Sequence, residues 1–180
     1  FAVWRAVLHI ITSFFIRLRS GKLCDAFSHN SLHPRFLQRR PCAFSADGHY
    51  YLSATQSSYG QKTINNDIVL DLNGFNLTGT SRAFFAKEGS ALALLDSVGG
   101  STVTMTGAAD GHGGIIRNDK GNLKIFGGKY VLKAGKNVRY GGIIYTSGKA
   151  TLEITDSTFT GNTGSTAGAV MYMGGKTVTI

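Results

Sequence analysis

An apolar–any–apolar triplet recurs five times along this chain, at Leu70/Leu72, Leu92/Leu94, Leu123/Ile125, Leu152/Ile154 and Val178/Ile180. Successive copies lie 22, 31, 29 and 26 residues apart. Self-similarity at a period of roughly 20–50 residues marks a stacked-repeat architecture. Side chains alternate between the two faces of an extended strand. The apolar pair of each copy therefore points inward, and the middle residue (Asp71, Ala93, Lys124, Glu153 or Thr179) points outward. With copies stacked about 4.8 Å apart, Lys124 and Glu153 face each other across adjacent layers, a mildly favourable cross-strand pair.

Two further columns accompany this one. Gly113-Gly114-Ile115-Ile116 and Gly141-Gly142-Ile143-Ile144 are 28 residues apart, and Ala167-Gly168-Ala169-Val170 follows 26 later. Ala83-Phe84-Phe85 is an earlier, degenerate copy. Leu77-Thr78-Gly79, Met105-Thr106-Gly107 and Phe159-Thr160-Gly161 close another strand, with Tyr130-Val131-Leu132 in that place in the remaining layer. Gly, Asn, Asp and Ser turns such as Asn73-Gly74 and Asp156-Ser157 separate the strands. No 3.6-residue period is sustained after residue 46.

Three short strands per layer without helices predict an all-β chain. The expected fold is a right-handed parallel β-helix, a single-stranded solenoid of about five rungs. A leucine-rich repeat would carry its own Asn-bearing consensus, and a propeller blade needs about 40–50 residues. His49-Tyr50-Tyr51-Leu52 is the expected start of the first layer. The sequence stops inside the fifth triplet, so it reads as the front of a longer β-helix, truncated on its C-terminal side.

Composition divides the chain near residue 45. Residues 1–45 carry a net charge of +6, both prolines, both cysteines and the only tryptophan, whereas residues 46–180 carry +3 and all but one of the 24 glycines. The overall charge of +9 is therefore concentrated outside the repeats, which lack the basic, aromatic-rich groove of a nucleic-acid binder. The expected organisation is a basic, non-repeat segment at 1–45 and an incomplete β-helix at 46–180. Residues 6–16 form an apolar run too short to span a bilayer as a helix, which takes about 20 residues. A signal-peptide core, a short helix and a segment foreign to the native design stay open for it, and residues 20–45, with no clear period, read as loop or disorder. Cys24 and Cys42, with His29 and His33 between them, lack the paired spacing of a zinc site, so no metal and no cofactor is expected.

The Gly-Gly-Ile-Ile copies resemble the Gly-Gly-Ala-(Ile/Leu/Val) repeats of the polymorphic outer-membrane protein family. Phe159-Thr160-Gly161-Asn162 is similar to that family's Phe-x-x-Asn repeat, and the likeness covers about residues 83–175. Leu70-Asp71-Leu72-Asn73-Gly74 resembles the first rungs of pectin-lyase-like β-helix proteins of bacterial surfaces. The resemblance implies a bacterial, secreted or surface-displayed stalk or adhesin, with membrane or cell-wall attachment through parts not included in this sequence.

The sequence favours binding over catalysis. Asp96 and Asp156 share a turn position two layers apart, with Gly127 between them. Asp-Ser is ordinary turn chemistry, in which the carboxylate caps nearby N–H groups. Gly111-His112-Gly113 is similar to a motif of polygalacturonase-type hydrolases, but the Asn-Thr-Asp, paired Asp-Asp and Arg-Ile-Lys that accompany it there are missing. Lys120, Lys124 and Lys129 lack the carboxylate cluster that a calcium-dependent lyase would need. Arg117, Tyr145 and Met171 align in one column and form the expected surface-binding column, with a carbohydrate or host-surface ligand as partner. The competing reading is a polysaccharide lyase or glycoside hydrolase whose catalytic rungs lie beyond Ile180.

Overall fold

A computed structural model describes residues 22–24, 44–107, 110–133, 138–161, 167–175 and 177–180. The 6–16 run and the residues Cys42, His29 and His33 lie outside them. The described residues contain strands and no helix. The strands form three parallel sheets. The first runs β1 (Lys22–Cys24), β2 (Gly48–Leu52), β4 (Asp67–Asp71), β7 (Ala91–Leu95), β10 (Asn122–Phe126), β13 (Thr151–Thr155) and β16 (Thr177–Thr179). The second runs β5 (Leu77–Gly79), β8 (Thr102–Met105), β11 (Lys129–Leu132) and β14 (Thr158–Thr160). The third runs β3 (Lys62–Ile64), β6 (Phe84–Ala86), β9 (Ile116–Asp119), β12 (Ile144–Ser147) and β15 (Met171–Met173). From β3 onward the chain visits the third, first and second sheets in turn, making a parallel β-solenoid of about four turns.

The triplets are the inward face of the first sheet. Leu92, Leu123 and Leu152 are in register, as are Leu94, Ile125 and Ile154, and all six are buried. The first copy sits two residues earlier than its motif suggests: Ile68 and Leu70, not Leu70 and Leu72, oppose Leu92 and Leu94. A two-residue slip preserves the facing of every side chain, so Leu72 is buried as well. The outward column is then Val69, Ala93, Lys124, Glu153 and Thr179. Asp71 instead tightens a turn, accepting from the Asn73 and Ser97 N–H groups at 2.8 and 3.1 Å. Lys124 and Glu153 pair at 2.8 Å, as the stacking predicts. At the last described rung, Val178 is half-buried and Ile180 is exposed.

In the second sheet, Leu77, Val103, Tyr130 and Phe159 form one inward column. Gly79, not Leu77, opposes Met105, so the recurring Thr-Gly ending is again displaced by two residues. Strand β1 lies in a stretch whose sequence shows no strand period, yet it pairs with β2 and extends the first sheet.

The glycine pairs set the corners before the third sheet. Gly113, Gly141 and Gly168 all have positive φ, at 58, 60 and 69°. A Cβ on any of them would collide with the backbone oxygen three residues on, that of Ile116, Ile144 or Met171. Only glycine satisfies both demands. The third copy is therefore Gly168-Ala169-Val170-Met171, one residue later than the Ala167-led alignment.

Candidate functional site

The place of Gly168 in the register decides which side chains the third sheet displays. A slip of one exchanges the faces of a strand. Met171 pairs with Ile144 and packs against the core, so it leaves the expected binding column. Tyr172 takes its place. The outward column is Phe85, Arg117, Tyr145 and Tyr172, one per rung of β6, β9, β12 and β15. Of the three expected residues, Arg117 and Tyr145 stand side by side and Met171 does not join them.

These side chains stack on one another. The Arg117 guanidinium lies 4.8 Å from the Phe85 ring centroid and 5.9 Å from that of Tyr145. Tyr145 and Tyr172 are parallel within 10°, with centroids 5.3 Å apart. A second column runs along the preceding corner, where isolated bridges link His112, Tyr140 and Ala167. His112 stacks on Tyr140 at 5.3 Å and meets Tyr145 edge-on at 4.7 Å. Tyr140 meets Tyr172 edge-on at 5.5 Å. The two columns form an aromatic–cationic strip, and its upper tyrosines, Tyr140 and Tyr172, are 36% and 37% exposed.

Beneath the strip lies a charge cluster that sequence reasoning missed. Arg82 is the largest fully buried side chain among the described residues. Its Nε donates to the Gly113 carbonyl at 2.9 Å and its Nη2 to the His112 carbonyl at 2.6 Å, and it pairs with the Asp110 carboxylate. Arg117 pairs with Asp110 at 2.9 Å and Asp119 at 2.5 Å. Burial pulls the Arg82 guanidinium down from its ordinary value, opposed by Asp110. For Asp110, burial pushes upward, but the His112 N–H and the guanidinium groups of Arg82 and Arg117 hold its carboxyl below the usual range. The hydrogen bond to Asp119 raises Arg117. Nothing local in the sequence announces an inward arginine. Its signal is the acid at Asp110, one layer on.

Asp96 and His112 are engaged in the structure of their own turns. The Asp96 carboxylate accepts from the N–H groups of Gly74, Gly99 and Ser101 and from the Ser101 hydroxyl, at 2.6–3.2 Å. That is turn capping. Asp156 sits in a left-handed turn at φ 51°. His112 is packed between tyrosines, its Nδ1 2.8 Å from the Asp110 carbonyl oxygen. Among the described residues, no group of three or more His, Cys, Asp or Glu side chains could hold a metal ion. Two shallow grooves flank the second sheet. One, of about 340 Å³, is lined by hydroxyls including Ser57, Thr78 and Thr104 and by Lys133; the other, of about 390 Å³, includes Asp96, Lys129 and Asp156. No helix among the described residues is long and apolar enough to cross a membrane.

No protein-family model, curated protein or solved structure matches this chain. Fold and strip together define its class: a parallel β-solenoid that carries a laterally exposed aromatic–cationic face.

Proposed function

We propose that the chain is a non-catalytic, surface-displayed or secreted β-solenoid of bacterial origin, a stalk or adhesin that engages glycans with the outer face of its third sheet. The observation that carries this reading is the strip itself. Phe85, Arg117, Tyr145 and Tyr172 follow one another rung by rung, flanked by His112 and Tyr140. Rigid aromatic side chains supply contact area at low entropic cost, and tyrosine adds a polar tip. A flat, elongated face suits an extended polymer better than a small metabolite, which seeks a concave pocket. A right-handed coil is in keeping with the reading, since parallel crossovers take that hand in about 98% of cases. The Gly-Gly corners support the resemblance to outer-membrane protein repeats, although Ile stands where Ala is usual there.

The test is the purified chain on a glycan array, paired with an assay for polysaccharide cleavage. Binding without release of reducing ends or unsaturated uronates is expected. Turnover would overturn the reading in favour of a lyase or hydrolase.

A further inference from the structure

The corner column runs His112, Tyr140, Ala167, and a ring rests on its lowest rung. His112 is covered by Tyr140, which stacks within 21° of parallel, and is walled by Tyr145 at 74°. Tyr140 has the matching wall, Tyr172 at 69°. On the rung above Tyr140, however, stands Ala167, a methyl where the rung below carries a ring. Ala167 is fixed in this place by Gly168, whose positive φ locks the corner. The outcome is an L-shaped aromatic corner with Tyr140 as floor and Tyr172 as wall.

We propose that this corner is a subsite for one neutral pyranose ring of a glycan chain. The proposal rests on the glycan-binding reading above and narrows it to a place and a ligand class. A sugar ring presents a face of C–H groups to an aromatic floor and hydroxyls at its rim, within reach of the tyrosine hydroxyls. Tyr140 is 36% exposed, and the residue one rung above it, Ala167, carries only a methyl. A neutral ring suits the corner because the arginines of the strip are already paired. Arg117 is held by Asp110 and Asp119, Arg82 by Asp110, and Lys120 by Glu88 at 3.1 Å. The two arginines of the strip are thus met by carboxylates, whereas Lys87, 5.9 Å from the Phe85 ring at the lower end of the strip, has no carboxylate partner among the described residues. The contrasting surface is the hydroxyl-lined groove of the second sheet, where Lys133 has no carboxylate partner among the described residues.

The experiment titrates the full chain with neutral hexasaccharides (cello-, manno- and malto-series) and with oligogalacturonate, at low and high salt. Tyrosine ring resonances report the site. Neutral binding that is insensitive to salt, and weakened about tenfold or more by both Tyr140→Ala and Ala167→Phe, is expected. Ala167→Phe removes no contact and fills the corner, so it guards against a folding defect in Tyr140→Ala. Lys133→Ala should leave binding unchanged. Neutral binding that survives both corner variants overturns the subsite and leaves the wider reading standing. Salt-sensitive binding of oligogalacturonate alone, lost in Lys133→Ala, also overturns the subsite. Binding of no glycan by the wild-type chain overturns both.

Discussion

Polar atoms inside the solenoid show where the stack is strained and where it is satisfied. Asn118 is fully buried, yet its amide donates to the carbonyls of Gly121 and Thr151 at 3.1 and 3.2 Å, and its oxygen accepts the Gly121 N–H at 3.0 Å. It ties two rungs at a turn. Tyr59 and Tyr130 differ: their hydroxyls are buried and find no partner among the described residues. Burial raises both phenols well above their ordinary value. An unpaired buried hydroxyl carries its desolvation cost without return. Tyr59→Phe and Tyr130→Phe should therefore each raise stability by about 1 kcal/mol. In a chain of this length that is roughly 2–4 °C in Tm. Calorimetry checks it, and a lower Tm would mean that the hydroxyl is hydrogen-bonded in solution. In Tyr130→Phe the ring stacked on Phe159 at 5.2 Å stays in place, so packing is held constant in that comparison.

Strands and corners explain what the sequence made legible and what it hid. The inward face was readable because the triplet's parity survives any even slip. Reading Leu70/Leu72 for Ile68/Leu70 misplaces a rung by two residues but sends no side chain to the wrong face. The outward site was less forgiving. Aligning Ala167 with Gly141 is an odd error, and it put Met171 where Tyr172 belongs. The information that resolves it is conformational: the first glycine of each pair must adopt positive φ, and alanine at that place cannot do so cheaply. Arg82 was hidden for another reason, because its burial depends on carbonyls and an acid from the next rung, about 30 residues on. Gly141→Ala must take a left-handed backbone, costing about 1–2 kcal/mol, and also displace the Ile144 carbonyl. Gly89→Ala meets the same backbone demand at φ 80° but has open space around the added methyl. Urea midpoints should fall clearly further for Gly141→Ala than for Gly89→Ala. Equal losses would show that the corner carbonyl yields freely.

At the scale of the whole molecule the fold is nearly one-dimensional. Each rung is stabilised by its own residues and by its neighbours above and below, so an uncovered rung is weaker than an inner one. The half-buried Val178 and exposed Ile180 of the last described rung illustrate the principle against the buried pairs of β7 and β10. At the opposite end, β1 lies on β2, with Lys22 opposite Tyr50 and Cys24 opposite Leu52. The basic segment therefore touches the stack at a defined place, although its composition differs from that of the repeats. A bare parallel edge exposes unpaired N–H and C=O groups and invites pairing with other chains. Removing residues 1–43 should consequently loosen the first rung more than the rest. Amide exchange is expected to rise in Gly48–Leu52 and to stay unchanged in β7 and β10, since coupling in such a stack is carried chiefly between nearest neighbours. Protection of Gly48–Leu52 unaltered by the deletion would show that β1 adds nothing to the solenoid. A loss spreading to β10 would show instead that the rungs melt as one unit and that the segment acts as a cap for the whole stack.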